Sequence, residues 1–232
     1  MNFFEKLHMY EKFWRYRYRS EEAEDIKYLL SQNLTDKTIL DVGANLGIYT
    51  YWMSKTVGPR GKVVAFEPQP ELEEHLNDVV KTFSLPNVNI VTTALSDNSG
   101  EEILYRTKVG CGGATFTPND YSKQVRVHKT TLDDFIEKEN ITDVSFIKAD
   151  VERHEINVFR GATKTLLKHS PTLLFECSHD EAVKGELFNF LSDLGYEGFF
   201  LRKGEQIPYA KFLDFDYGDV NRTHRNYIFT KK

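Results

Sequence analysis

From Lys37 onward, short apolar runs alternate with longer stretches whose apolar residues recur at helical spacing. KTILDV (37–42) predicts a buried strand, followed by a helix from Leu46. KVVAFEP (62–68) predicts a second strand, and the helix after it carries Leu72, Leu76, Val79, Val80 and Phe83 on one face. VNIVTTAL (88–95) and VSFIKAD (144–150) predict the third and fourth strands. A helix opening at Thr131, with Asp133 and Asp134 in its first turn, precedes the fourth. Helix 155–168, strand PTLLFEC (171–177), helix 181–194 and the strands GYEGFFL (195–201) and NYIFTK (226–231) complete the series.

Strands separated by helices imply right-handed crossovers and a mostly parallel sheet. VVAF, FIKA and TLLF suit strands covered on both faces. Between the third and fourth strands no long helix is predicted. EEILYRT (101–107) and QVRVHKT (124–130) read instead as an added hairpin around the loop VGCGGATFTPND. Its three glycines suit a segment that closes over a substrate. With no repeat or linker, one domain overall is expected, with residues 1–36 as an N-terminal helical cap on a domain spanning 37–232.

Composition narrows the class. The 232 residues, 40% hydrophobic and 28% charged, fit one globular domain. A net charge of -5 argues against a general nucleic-acid binder. No apolar run is long enough to span a bilayer, and the charged N-terminus lacks the apolar core of a signal peptide. The two cysteines, Cys111 and Cys177, form no CxxC pair, so structural zinc is not expected and a reducing cytoplasm fits. Up to Ser20, five Lys/Arg face two Glu, interleaved with Phe13, Trp14, Tyr16 and Tyr18. The preferred reading is one or two helices packing over the sheet with solvated charges. The sharper ones are a cap for an anionic or aromatic substrate, or a dock for a carrier or lipid-linked glycan.

The strongest chemical signal is DVGANLGIYT (41–50), which leaves a strand and opens a helix. Gly43 and Gly47 permit a tight turn and close approach of a ligand to the backbone. The glycines read GxxxG, not the GxGxxG of dinucleotide binders, so a pyrophosphate ligand is less well supported. Asp41 at the strand end would favour a ligand with cationic character, such as a sulfonium. FEP (66–68) closes the second strand, and Glu67, 26 residues after Asp41, is placed to accept hydrogen bonds from ribose hydroxyls. Together the two motifs indicate an adenosyl ligand.

DVGANLGIYT, FEP, TTALSDNSGEE, IKADVERHEINVFRGA and LLFE, in this order, resemble the FkbM family of S-adenosylmethionine-dependent methyltransferases, over residues 37–201. The resemblance implies a class I (Rossmann-like) α/β fold, a seven-stranded mostly parallel sheet with helices on both faces and the last strand antiparallel. It implies S-adenosyl-L-methionine as cofactor and O-methylation of a sugar, glycan or small natural product. Carried over, it places Asp41, Gly43, Ala44, Asn45 and Gly47 around the methionine part, Glu67 at the ribose, and Ala94, Leu95 and Ser96 near the adenine. One departure matters: Arg153 stands in DVERHE where the family commonly has glycine. The turn is expected to differ, with Arg153 or His154 available to the substrate site.

Methyl transfer to a hydroxyl needs alignment and a proton acceptor. Asp150, Glu152, His154, Glu176 and His179 all follow strand ends on the ligand-binding side of such a sheet. Asp150 is the first candidate base and His154 the second. Carboxylates 150, 152 and 176 could also hold a divalent metal. The preferred alternative has no metal and pairs Glu152 and Glu155 with Lys148 or Arg153. Two further classes stay open: a non-catalytic S-adenosylmethionine-binding domain and, less favoured without GxGxxG, an NAD-dependent oxidoreductase.

Overall fold

The computed structural model describes residues 1–20, 22–118, 123–214 and 224–231. The last two positions of the glycine-rich loop, Asn119 and Asp120, lie outside the described residues. Two helices, α1 (Phe3–Arg19) and α2 (Ala23–Ser31), precede β1 (Thr38–Val42). Then follow α3 (Ile48–Val57), β2 (Lys62–Phe66), α4 (Leu72–Thr82), β3 (Val88–Val91), β4 (Ala94–Leu95), β5 (Gly100–Arg106) and β6 (Lys123–Thr130). The second half runs α5 (Leu132–Lys138), β7 (Phe146–Ala149), α6 (Glu155–Arg160), α7 (Thr163–His169), β8 (Thr172–Ser178), α8 (His179–Lys184) and α9 (Glu186–Asp193). It ends with β9 (Glu197–Arg202), β10 (Glu205–Pro208), a 3₁₀ turn at Tyr209–Asp214 and β11 (His224–Thr230).

The main sheet has the order β10-β9-β11-β8-β7-β1-β2-β3. β3, β2, β1, β7 and β8 are parallel neighbours, and β11 inserts antiparallel between β8 and β9. This is the class I arrangement, with one strand more than the expected seven. The extra strand, β10, folds back from β9 across Lys203 and Gly204 at φ 53° and 81°. Positive φ at both loop residues is the geometry that continues strand twist through a two-residue hairpin.

Period-two alternation assigns the strand residues to two apolar layers. Ile39, Val63, Phe146, Leu174 and Ile228 face a layer built with α1, α2 and α3. Leu40, Val64, Ile147, Leu173, Phe175 and Phe229 face the other, shared with α5, α6, α7 and α9. The strands are therefore buried on both sides, as their unbroken apolar runs require.

Three expected elements are divided. The strand at 88–95 ends at Val91 and resumes as β4, which pairs with β6 beside the β5–β6 hairpin in a second sheet. The helix at 155–168 breaks at Gly161, where a Cβ would lie 2.0 Å from the carbonyl oxygen of Ser96. The helix at 181–194 breaks at Gly185, whose φ of 71° terminates α8 and starts α9.

Candidate active site

At the carboxyl ends of β1, β2 and β7 the chain opens into one cavity, walled on its far side by the hairpin loop. Gly43, Asn45, Glu67, Ala94, Leu95, Asp150, Glu152, His154 and Glu176 all line it, with Cys111, Gly112, Ala114 and Phe116 from the loop. Open α/β sheets bind ligands at this edge.

The turn after β1 is built by the neighbouring strands. The amides of Gly43 and Ala44 donate to the Phe66 carbonyl at 3.0 and 2.9 Å. Gly43 sits at φ 81°, and a Cβ there would lie 2.0 Å from the Asp150 carbonyl oxygen. Its need for glycine thus comes from the backbone after β7. Gly47, at φ 79°, starts α3 and packs against Leu76. Ala44 is buried against Leu72 and Leu76, and neither Ala44 nor Gly47 lines the cavity.

Asp41 is placed differently from the ligand-facing role expected of it. It is fully buried, accepts from Thr50 Oγ1 at 2.5 Å, and lies 3.8 Å from Lys148 Nζ. Burial raises its pKa against the opposing pull of Lys148 and Thr50. Its second oxygen, Oδ1, has no hydrogen-bond partner.

Glu67 does face the cavity. Its Oε2 accepts from the Asn45 amide at 2.8 Å and its Oε1 from the Gln69 amide at 3.0 Å. Burial raises its pKa, while those two amides oppose the shift. Gln69 extends the arrangement, accepting from the Gly110 amide and Arg106 Nη1, each at 3.1 Å. Arg106 in turn pairs with Glu71 at 2.5 Å, which ties the hairpin loop to the segment after β2. Beside Glu67, Asn45 Oδ1 is a buried acceptor without a partner. An unsatisfied acceptor and a rigidly held carboxylate on one wall, with the apolar Ala94 and Leu95 on another, fit a nucleoside carrying an amino-acid moiety.

On the opposite wall, carboxylate oxygens of Asp150, Glu152 and Glu176 all lie within 4.8 Å of one another. Burial, then repulsion from Asp150, pushes Glu152 up to about 7. Burial, then Asp150 and Glu152, pushes Glu176 up to about 8. The expected ion pairs are not the ones formed. Lys148 lies 3.4 Å from Asp150 Oδ2, 3.3 Å from the Gly43 carbonyl and 3.8 Å from Asp41, and its ammonium covers the Tyr49 ring. Burial opposes its charge, but Asp150, Asp41 and Glu22 outweigh burial and raise its pKa. Glu155 accepts instead from the Val151 amide at 2.8 Å. Arg153 points away from the cavity, donating to Ser178 and Asp180 and lying 3.7 Å from Glu181. Among the described residues Glu152 has no ion pair, so the three carboxylates form an oxygen-rich cluster of the kind a divalent cation can use.

Two candidates lie behind the wall. Ser96 is buried, with its hydroxyl 3.0 Å from His154 Nε2. Burial lowers the pKa of His154, whose ring meets Phe116 edge-on. His179 opens α8 with its ring 6.2 Å from Phe212 and does not line the cavity. At the position where the family commonly has glycine, the turn holds Glu152 and Arg153 at φ of 55° and 75°.

Sequence reading missed the residues that support this site. Tyr49 donates to Glu22 at 2.5 Å, and Asn226 Nδ2 donates to Glu22 and Asp25, each at 2.9 Å. These contacts join α2, α3 and β11 beneath Lys148. The one signal available was a lysine inside the doubly buried run FIKA, which demands partners.

Residues 41–197 match the family of the methyltransferase FkbM domain. Hexuronic acid methyltransferase AglP of Haloferax volcanii is 27% identical over 157 residues, 67% of this chain and 62% of AglP. Methyltransferase sdnD of Sordaria araneosa is 23% identical, over 68% of this chain and 73% of its own. The fold is similar to the crystal structure of methyltransferase FkbM from Methylobacillus flagellatus, with a TM-score of 0.59 at 16% identity. That alignment covers 86% of this chain and 45% of the other. The chain therefore spans less than two thirds of AglP and under half of the Methylobacillus protein. The match over 41–197, on a sheet of class I order, makes this chain a member of the FkbM methyltransferase family.

Proposed function

We propose that this chain transfers a methyl group from S-adenosyl-L-methionine to a hydroxyl of a sugar, glycan or small natural product. The observation that carries the reading is the buried Glu67, held by two amides at the rim of a cavity whose other wall carries Asp150. In this reading Glu67 binds the ribose hydroxyls, and Asn45 with the turn at Gly43 receives the methionine part. Ala94 and Leu95 cover the adenine, and Ser96 acts through His154. Asp41, Ala44 and Gly47 shape the turn from behind. A sugar acceptor is supported by the relation to AglP, a hexuronic acid methyltransferase.

When bound, S-adenosylmethionine supplies a methyl on a sulfonium, which leaves as a neutral thioether. The protein's part is alignment and proton transfer. Asp150 takes the acceptor's hydroxyl proton as the oxygen–carbon bond forms, with Lys148 holding the carboxylate in place. His154 is the second choice. Glu152 and Glu176 orient the acceptor's hydroxyls. Residues 1–36 cap a catalytic domain at 37–232, and the reaction is placed in the cytoplasm, where unpaired Cys111 and Cys177 persist.

Calorimetry with S-adenosylmethionine, S-adenosylhomocysteine and NAD⁺, on wild type and Glu67→Gln, tests the first step. Binding of the two adenosyl ligands, weakened in the variant, supports the reading and opens an acceptor screen with labelled methyl donor. Binding of NAD⁺ alone would sink it.

A further inference from the structure

The face of α1 that points away from the protein carries a row of large apolar side chains. Phe3, Leu7, Tyr10, Trp14 and Tyr18 recur at intervals of four, three, four and four, which keeps them within about 80° of one another around the helix. Phe4 lies beside the row. Their exposures run from 42% at Trp14 to 78% at Phe4. Met9 and Phe13 dock the helix, the Phe13 ring stacking on Tyr51 at 4.1 Å and meeting Phe83 edge-on. Tyr10 and Trp14 border that face, against Phe83 and Trp52, which leaves Phe3, Phe4, Leu7 and Tyr18, each at least 59% exposed, without a task in docking.

The charge on this helix is opposite to that of the remainder. Lys6, Lys12, Arg15, Arg17 and Arg19 against Glu5 and Glu11 give residues 1–20 a net of +3, in a chain whose total is -5, leaving -8 elsewhere. None of the five cations is ion-paired with a described residue. Arg17 lies over the rings of Tyr18 and Trp52, at 5.2 and 5.3 Å, and so borders the apolar row with its charge unneutralised.

We propose that α1 is an interfacial helix that seats this protein on an anionic lipid surface. Three properties point to that occupant. Tryptophan and tyrosine with phenylalanine and leucine form the side-chain set that partitions into the headgroup boundary. Unpaired Lys and Arg beside them are attracted to anionic headgroups, each strengthening binding about fivefold. The helix is also too polar to cross a bilayer, so it lies along the surface. A second copy packing α1 against α1 would bring two basic faces together, and the charge opposes that arrangement.

The test uses the full chain and vesicles of phosphatidylcholine, alone or with about a third phosphatidylglycerol, in co-sedimentation at low and high salt. Binding to the anionic vesicles, weakened by salt, is expected. Both Lys6→Glu/Arg15→Glu/Arg19→Glu and Phe3→Ser/Phe4→Ser/Leu7→Ser should weaken it by about tenfold or more. All six positions are on the exposed side of α1. Circular dichroism and thermal unfolding, unchanged in both variants, would show that the loss is not one of folding. A blue shift of Trp14 emission on vesicle binding, read in Trp52→Phe, would place the helix in the interface. No binding to anionic vesicles, or equal binding to neutral ones, overturns the proposal. So does a dimer in sedimentation equilibrium that the serine variant splits while vesicles do not bind. None of these outcomes depends on which acceptor is methylated.

Discussion

Replacing Gly43 by alanine separates two explanations of the DVGANLG motif. If the glycine exists to admit a ligand, the ligand-free protein should tolerate a methyl group. The structure instead puts the added Cβ 2.0 Å from the Asp150 carbonyl oxygen, at φ 81°. The left-handed conformation costs alanine about 1–2 kcal/mol. The contact is with backbone, which cannot rotate away as a side chain would, and overpacking of that kind costs a further ~1–3 kcal/mol. For a chain of this size each kcal/mol lowers Tm by about 2–4 °C, so a fall centred near ~10 °C is expected without any ligand. Gly204→Ala is the control, because Gly204 has the same φ of 81° but no atom within 4 Å of its Cβ position. It carries the conformational penalty without the backbone contact. Thermal unfolding by circular dichroism measures both. Gly43→Ala no less stable than Gly204→Ala would refute the packing argument and return the glycine to the ligand.

Lys148→Met should destabilise by about 3–5 kcal/mol in urea unfolding, because the fully buried Asp41 loses its cation. Adding Asp41→Asn should restore more than half, and purely additive losses would show that the pair is not coupled. Glu176→Gln tests the carboxylate cluster through pH. With Glu176 pushed up to about 8, the folded state holds a proton that the unfolded state releases from about pH 4.5. Stability therefore falls as pH rises between those values, and the cost persists above them. Glutamine escapes that cost, so the variant should gain on wild type by on the order of 2 kcal/mol between pH 5 and 8.5, and a constant difference would contradict the assignment. Arg153→Gly should change stability by no more than about 1 kcal/mol, since relief of the φ of 75° offsets the lost half-exposed pairing with Asp180. A loss above about 2 kcal/mol would mean that the guanidinium anchors the turn.

The fold was legible where a residue's burial determines its neighbours on both sides of the sheet. KTILDV, KVVAFEP, VSFIKAD and PTLLFEC became β1, β2, β7 and β8 with boundaries shifted by a residue or two. Divisions inside elements were not legible, because their causes are distant in sequence. Gly161 breaks a helix for the sake of Ser96, 65 positions earlier, and no local pattern records that contact. In the site, Glu67, Asn45 and Asp150 could be placed at the cavity because a strand end fixes where the next side chain points. His179 could not, since the capping box at Ser178 and Glu181 turns the chain straight into α8 and carries its ring toward Phe212. Arg153 was misplaced for a similar reason. A left-handed residue sends its side chain in a different direction from its neighbours, and here toward the acids that open α8.

The acidic wall also shows why a motif rich in carboxylates does not state which one reacts. Lys148 and Asp150 are two apart, so both lie on the same side of the chain as it leaves β7, and the ammonium meets that aspartate before any other acid of the wall. Among the described residues neither Glu152 nor Glu176 has a cation at ion-pair distance, and burial, reinforced by Asp150, pushes both toward the neutral form near pH 7. One ion-paired carboxylate beside two protonatable ones is an asymmetric arrangement: the first can accept a proton, the others can donate hydrogen bonds to a hydroxylated acceptor. The asymmetry comes from one buried lysine, which Asp41, the Gly43 carbonyl and Tyr49 hold from behind. In the proposed reaction Asp41 serves the acceptor side of the cavity through Lys148, which it holds from the head of the glycine turn.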